Sequence, residues 1–226
     1  MGSGYSEIKE EHQWHYDILP RATKRALDFL SHKEWLKDSS WYLAGGTAFA
    51  LYAGHRKSMD LDFFIPQKNF APRNILKHFS EDYWNTDVAQ EGTIYGKLLG
   101  AKISFIAYPF FQAKEPFGWY GAVRVLSPPD IAVMKIIAIS QRGKKRDFID
   151  LYWYIKHKES LLTIIRRLPE QYPTVAHDYN HILKSLMYFA DADQDPMPTL
   201  LFQANWRTIK AYFRREIPKI TKELLF

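Results

Sequence analysis

The sequence predicts an α+β fold, in which a mixed β-sheet with helices is followed by a helical C-terminal half. Three observations support this prediction. Helical patterns alternate with short apolar runs in the first third of the chain, and three candidate strands then follow one another over residues 83–108. Beyond Pro128-Pro129 the patterns are mostly helical. We therefore expect a core that contains the sheet over residues 18–127 and a helical region over residues 128–226.

The composition is that of a folded globular protein. Of the 226 residues, 46% are hydrophobic and 16% are aromatic, which argues against disorder. No apolar run approaches the ~18–20 residues of a membrane helix, and no signal-peptide pattern is present, so we expect a soluble, cytoplasmic protein without a membrane partner. The absence of cysteine excludes thiolate metal sites, and the net charge of +6 suits a phosphate-rich partner. Residues 1–4 have the composition of an expression remnant.

The first elements surround a pair of glycines. A helix is expected over residues 20–35, a short buried strand over residues 41–44 and a helix over residues 47–53, so Gly45-Gly46 falls at a strand-to-helix turn. Glycine permits a positive φ and a close approach of the backbone, and the free amides of a helix start suit a phosphate. Thr47 could cap this helix or offer its hydroxyl to the same anion. The alternative is a plain turn.

Two carboxylates follow on the next predicted strand. The alternation over residues 59–65 places Asp60 and Asp62 on the same face of a strand. Because neighbouring carboxylates repel each other, they favour a bound cation, and Mg²⁺ takes oxygen ligands while leaving positions for substrate phosphates. The alternative is a solvated surface or turn. Arg56 and Ser58 lie directly before the carboxylates, and the whole combination meets the needs of metal-dependent phosphoryl or nucleotidyl transfer.

The remaining strands come before the helical half. A helix is expected over residues 73–79, and further strands over residues 83–90, 93–99, 101–108 and 122–126. Residues 109–120 are rich in aromatic side chains and contain two prolines, which indicates a loop or a short edge segment. This segment could stack a base, although packing is its more ordinary role.

Two helices open the helical half, over residues 130–140 and 146–158. Lys135 lies inside the apolar band of the first, so it either extends to the surface or has a charged partner at a site. Asp147 and Asp150 share one face of the second helix. Asp147 could be a charge that favours the helix dipole. Asp150 could be an ion-pair partner for Arg146 or Arg142.

These residues form a recognisable set of motifs. Gly45-Gly46-Thr47 with residues 55–63 resembles the first motif of the nucleotidyltransferase superfamily that includes polymerase beta, most closely its AbiEii/AbiGii toxin-like branch. Residues 129–135 and 142–151 match later signatures of that branch. The resemblance implies a polymerase beta-like core and a magnesium-dependent nucleotidyltransferase. Such an enzyme transfers a nucleoside monophosphate from a nucleoside triphosphate to an acceptor hydroxyl and releases pyrophosphate.

The resemblance also implies roles for individual residues. Nucleotide binding would fall to five of them: Gly45, Gly46, Thr47, Arg56 and Ser58. Asp60 and Asp62 would hold the metal and act in catalysis. Lys135 would reach the nucleotide phosphates, and Asp147 would be a functional acid or a substrate-positioning group.

The same resemblance implies a toxin-like component of a bacterial toxin–antitoxin or phage-defence system. Its acceptor would be tRNA or another RNA, with protein hydroxyls as the alternative, and its partner would be a separately encoded antitoxin. Ser104 departs from the family pattern, because it stands where members with a full metal triad carry a third carboxylate. Two carboxylates could suffice, Asp147 or Asp150 could complete the site, or catalysis could be weak. The alternative function is a catalytically inactive member that binds nucleotide, RNA or a partner protein.

Overall fold

The computed structural model describes residues 13–225, so the suspected remnant at residues 1–4 lies outside the described part. That part contains one seven-stranded sheet with the order β3-β4-β5-β2-β1-β7-β6. The strands are β1 Tyr42–Ala44, β2 Leu61–Ile65, β3 Trp84–Gln90, β4 Thr93–Leu98, β5 Ala101–Ala107, β6 Gly118–Tyr120 and β7 Val123–Val125. The pairs β1–β7 and β2–β5 are parallel, and the other pairs are antiparallel. The predicted α+β fold with a mixed sheet is confirmed.

Helices surround this sheet and make up the rest of the described chain. A short 3-10 helix, Tyr16–Ile18, comes first. The α-helices are α1 Arg21–Ser31, α2 Glu34–Lys37, α3 Gly45–Ala53, α4 Arg73–Leu76, α5 Pro128–Arg142, α6 Lys145–His157, α7 Leu161–Arg166, α8 Leu168–Gln171, α9 Tyr179–Ser185, α10 Ala190–Gln194 and α11 Trp206–Leu225. None of the helices in residues 13–225 has the length and apolarity needed to cross a membrane.

The predicted boundary near residue 127 separates two kinds of secondary structure. Within the described chain, every strand comes before this position and every later element is a helix. Contacts nevertheless cross it, because α3 packs against both α5 and α6. The division into a core and a helical region therefore stays a prediction.

Strand β2 lies near the centre of the sheet and carries the alternation expected from its sequence. Leu61, Phe63 and Ile65 are buried on one face, whereas Asp62 and Phe64 project from the other. The register is fixed on both sides, because β2 pairs with β1 and with β5. A one-residue slip would exchange the apolar and acidic faces. The apolar side of the strand thus determines where the acidic side points.

Several predicted helices have different bounds in the structure. The helix expected over residues 20–35 is divided into α1 and α2, and the helix expected over residues 130–140 extends over Pro128–Arg142. The helix after β1 begins at Gly45 and not at residue 47, so the glycines form its first turn. The helix expected over residues 73–79 ends at Leu76. The chain continues in turns after it, where the His78 ring stacks on Trp35 and the Phe79 ring stacks on Trp84.

A segment of the helical half pairs with the loop between α3 and β2. Arg56 and Leu200 form an antiparallel bridge. The Lys57 amide donates to the Thr199 carbonyl at 3.0 Å, and the Leu201 amide donates to the His55 carbonyl at 2.8 Å. Residues 199–201 therefore hold the main chain of this loop, residues 54–60, from outside the sheet. We call it the motif loop.

Candidate active site

A cavity of about 420 Å³ lies between the acidic face of the sheet and helices α5 and α6. It brings together all nine residues that the sequence singled out: Gly45, Gly46, Thr47, Arg56, Ser58, Asp60, Asp62, Lys135 and Asp147. Apolar side chains of the sheet and of α5, including Phe64, Ile106 and Met134, line another part of its wall. The cavity thus combines a helix N-terminus, two carboxylates and an apolar surface.

The two glycines allow side chains to approach the start of α3 closely. Gly45 has a φ of +72°, in the left-handed region, and a Cβ there would lie 3.1 Å from Asp62 Oδ2. A Cβ on Gly46 would collide with the Arg56 guanidinium. No side chain caps α3, so its first amides have no partner within the helix or from a capping residue. This helix start has the features of an anion site.

Thr47 and Ser58 stabilise the loop that leads to the carboxylates. The Thr47 hydroxyl donates to the Asp60 carbonyl, and its oxygen lies 2.8 Å from the Ser58 hydroxyl oxygen. Thr47 does not cap α3, because the helix begins before it, so that interpretation is wrong. Both side chains are buried, and together they fix the position of Asp60 relative to α3.

The carboxylates of Asp60 and Asp62 occupy different environments. Asp60 Oδ2 lies 3.3 Å from an Arg146 guanidinium nitrogen, and both side chains are partly exposed. Asp62 Oδ1 accepts a hydrogen bond of 2.8 Å from Ser104, which lies directly opposite in β5. Burial raises the pKa of Asp62, and the nearby charge of Asp60 adds to this rise, against the lowering effect of the Ser104 hydroxyl. A bound cation would relieve the mutual repulsion.

Asp60 and Asp62 are the two cavity acids that would hold a magnesium ion, and this role stays a prediction. Both acids offer hard oxygen ligands, and Asp62 Oδ2 accepts no hydrogen bond from any residue of the described part. Residues 13–225 contain no group of three histidine, cysteine, aspartate or glutamate residues that could hold a metal. Asp147 and Asp150, the alternatives for a third carboxylate, are engaged in ion pairs instead. The remaining positions of the ion would be left to substrate phosphates and water.

A buried ion network lies beneath the cavity, with Asp150 at its centre. Asp150 accepts hydrogen bonds from Arg56 Nε at 2.5 Å and from another Arg56 nitrogen at 2.9 Å. Lys135 Nζ lies 2.7 Å from Asp150 and 2.7 Å from Asp147. Burial alone would raise the pKa of Asp150, but Arg56 and Lys135 hold it well below its ordinary range. The network therefore keeps this acid ionised.

The network also includes a histidine. His55 Nε2 lies 2.7 Å from Asp150 Oδ1, and both side chains are fully buried. Burial lowers the pKa of His55, although Asp150 opposes this effect. A neutral His55 would donate its Nε2 proton to Asp150. With His55 neutral, the network contains two cations, Arg56 and Lys135, and two anions, Asp147 and Asp150.

The network decides between the two alternatives for Lys135 in favour of a charged partner, and it corrects the interpretation of Asp150. Lys135 does not extend to the surface, since its side chain is 5% exposed and held by two carboxylates. Asp150 does not pair with Arg146 or Arg142. Arg142 lies instead 3.3 Å from Asp147, and Arg146 lies beside Asp60.

Sequence reasoning gave no individual role to His55, and it named Arg142 and Arg146 only as possible partners of Asp150. The spacing of charges around residues 142–150 indicated ion pairs, but it could not identify partners on a distant loop. The nucleotide-binding and catalytic roles suggested for the nine cavity residues stay predictions.

Comparisons with known proteins identify the family of this chain. A sequence profile of the family described as nucleotidyl transferase AbiEii toxin, type IV TA system, matches residues 28–97 and 101–223. An uncharacterized protein of Aquifex aeolicus (strain VF5) is 33% identical over 186 residues, which make up 79% of this chain and 87% of that protein.

Solved structures are similar as well. The crystal structure of a proposed nucleotidyltransferase from H. pylori has a TM-score of 0.51 at 18% identity, covering 89% of this chain and 96% of that one. MenT4, a nucleotidyltransferase toxin from Mycobacterium tuberculosis H37Rv, has a TM-score of 0.49 at 14% identity, covering 88% and 84%.

The family match covers most of the chain and extends beyond the motifs into the helical half. The H. pylori structure supports the nucleotidyltransferase-like fold, and the predicted enzyme class, a nucleotidyltransferase, is confirmed by the family. This chain belongs to the nucleotidyl transferase AbiEii toxin family.

Proposed function

We propose that this protein transfers a nucleoside monophosphate from a nucleoside triphosphate to an acceptor hydroxyl on tRNA or another RNA, in a magnesium-dependent reaction. The observation that carries the proposal is the single cavity shared by the first turn of α3, the paired carboxylates Asp60 and Asp62, and Lys135. A triphosphate needs an anion site and a metal site next to each other, and this arrangement supplies both.

The phosphates would bind at the first turn of α3. Gly45 and Gly46 leave room there for an anion to approach the backbone, and the helix dipole favours negative charge. Lys135 and Arg142 contribute positive charge from the opposite wall. The apolar part of the cavity, with Phe64 and Met134, would hold the base.

Asp60 and Asp62 would hold the magnesium ion. When bound, this ion supplies charge stabilisation at the phosphoryl oxygens. Ser104 keeps Asp62 oriented through its hydrogen bond, and the β2 register keeps that acid on the cavity side. Asp60 lies just before β2, not within the strand as predicted, and the Thr47 hydroxyl holds its carbonyl at the cavity. Arg146 offsets part of the charge of Asp60 before substrate arrives. The acceptor oxygen then forms a bond to the α-phosphorus, the bond between that phosphorus and the oxygen bridging to the β-phosphate breaks, and pyrophosphate leaves while the hydroxyl proton passes to water.

The family supports a role in a toxin–antitoxin system, and a separately encoded antitoxin would be the partner. One observation favours a second function, which is binding without catalysis. Ser104 is neutral and lies where a third carboxylate would approach the metal, opposite Asp62. A catalytically inactive member would bind nucleotide or RNA in the same cavity.

The test is a labelling assay with each of the four α-labelled nucleoside triphosphates, Mg²⁺ and total tRNA. We expect transfer of label by the wild type and its loss in Asp60→Ala and Asp62→Ala. Glu81→Ala removes an exposed carboxylate outside the cavity and serves as the matched control. Circular dichroism would check that all three variants fold.

Two results would contradict the proposal. Unchanged transfer of label by both cavity variants would contradict the role of Asp60 and Asp62 as metal-holding acids. Nucleotide binding without transfer to RNA or protein would favour the inactive member.

A further inference from the structure

A second groove meets the cavity at Asp60. It has a volume of about 380 Å³ and shares four residues with the cavity: Arg56, Ser58, Asp60 and Arg146. Asp60 lines both spaces, whereas Asp62 lines only the first. A group bound in the groove could therefore reach the carboxylate pair from the side away from the apolar part of the cavity. Nucleotidyl transfer needs such a second space, because two substrates must meet at one phosphorus atom.

The far wall of the groove is a fixed segment and not a loose loop. Residues 195–198 form this wall. Asp195 anchors it at one end by accepting a hydrogen bond of 2.9 Å from the Lys145 amide. At the other end the segment runs into residues 199–201, which pair with the motif loop. Because this wall is held at both ends, the groove is preorganised to bind a ligand.

The charges of the groove favour a phosphate chain. Lys57, Lys144 and Arg146 are exposed along it. The groove also contains two carboxylates, Asp195 at 3.3 Å from Lys144 and Asp60 at 3.3 Å from Arg146, so its exposed cations exceed its acids by one. Lys57 has no ion-pair partner among the described residues. Such cations suit successive phosphates of a nucleic acid.

Two exposed methionines give the groove an apolar surface as well. Met59 is 63% exposed and Met197 is 42% exposed, and they contribute to opposite sides of the groove. The Met59 main chain is held in place, because its carbonyl accepts a hydrogen bond of 2.7 Å from Thr23. Unpaired bases expose flat apolar faces that can pack against such side chains, as single-stranded nucleic acids do on protein grooves.

The main chain around the groove argues against a peptide acceptor. Extended peptides commonly dock by adding hydrogen bonds to an open strand edge. Here the amide of Lys57 and the amide of Leu201 are already paired with carbonyls of the chain itself. We propose that this groove holds the single-stranded end of an RNA acceptor, with Lys57 and Lys144 on its phosphates and its terminal hydroxyl beside Asp60.

This inference rests on the proposed function and names the acceptor site for it. Its test is a binding measurement that needs no transfer. Fluorescence anisotropy would follow a short labelled single-stranded RNA without nucleoside triphosphate, over a series of salt concentrations. The variant is Lys57→Ala/Lys144→Ala, and the matched control is Lys77→Ala/Lys222→Ala, which removes two exposed lysines outside both spaces.

We expect the groove variant to bind the RNA on the order of 25-fold more weakly at 0.1 M salt. The slope of the logarithm of its association constant against the logarithm of the salt concentration should be smaller in magnitude by about 1.4. The control should match the wild type. In the transfer assay the acceptor KM should rise, while the KM for nucleoside triphosphate stays unchanged.

Equal binding by the groove variant and the control would overturn the inference. Absence of RNA binding by the wild type, together with labelling of a protein hydroxyl, would also overturn it. Weakened RNA binding without any transfer by the wild type would support the groove and contradict the proposed enzymatic function.

Discussion

Asp150 of α6 binds Arg56 of the motif loop through two hydrogen bonds, across 94 residues of sequence. This contact places the guanidinium against Gly46, at the start of α3. Lys135 of α5 shares the same carboxylate at 2.7 Å. The contact therefore connects the sheet-containing half to both helices that form the opposite wall of the cavity.

Asp150→Asn should strongly destabilise the protein. The change leaves the buried cations Arg56 and Lys135 with one carboxylate fewer, and breaking a buried pair in this way costs about 3–5 kcal/mol. Urea denaturation would measure the free energy of unfolding. Asp193→Asn is the control, since Asp193 pairs with Lys210 at the surface and such pairs contribute about 0–1 kcal/mol. Similar losses in the two variants would contradict the central role of Asp150.

The stabilisation that the Asp150 carboxylate gives to the folded protein should be lost at low pH. Because the folded protein holds the pKa of Asp150 well below its ordinary value, this stability is fully present above about pH 4 and lost as the pH falls further. The difference in free energy of unfolding between the wild type and Asp150→Asn should shrink as the pH falls from about 4 to about 3. Urea denaturation across this range would measure it. A difference that stays constant over this pH range would show that Asp150 has the same pKa in the folded and the unfolded protein.

Gly46→Ala should destabilise the protein through Arg56. The new methyl group would overlap the guanidinium, and such overpacking costs about 1–3 kcal/mol. A double-mutant cycle with Arg56→Ala isolates this effect, because Gly46→Ala should cost much less once the guanidinium is gone. Thermal or urea denaturation of the four proteins would give the coupling energy. Additive costs would mean that the two residues do not share this space.

Ser104→Asp should strengthen metal binding. The new carboxylate would lie opposite Asp62, where it repels that acid without metal and adds an oxygen ligand with it. We expect a lower Tm than the wild type in a chelator and a larger rise in Tm on adding Mg²⁺, since ligands that bind only the folded state stabilise it. Ser104→Ala is the control, because it removes the hydrogen bond without adding charge. Equal Mg²⁺ shifts in all three proteins would contradict a site at this position.

Local patterns predicted much of the fold and the position of the main side chains. The alternation around Asp62 predicted β2, and the glycines predicted a strand-to-helix connection. These features are set by neighbours in sequence, so periodicity and backbone preference reveal them.

The ion network could not be predicted in the same way. Asp150 pairs with His55 and Arg56, which lie 95 and 94 residues away, so only the folded chain brings these groups together. From sequence alone, Arg142 and Arg146 were the nearer partners for Asp150, but they lie beside Asp147 and Asp60 instead. The second groove was missed for the same reason, because residues 195–198 reach the motif loop only through tertiary pairing.

The pairing of residues 199–201 with the motif loop has a consequence for how activity arises during synthesis. A ribosome makes the motif loop first, and the backbone partners of His55 and Lys57, residues 199–201, follow only after all the described elements before α11 have been made. Until then a nascent chain carries its acidic motif without the pairing that holds the main chain beside it. The last step in shaping this loop therefore depends on a segment that is synthesised long after it.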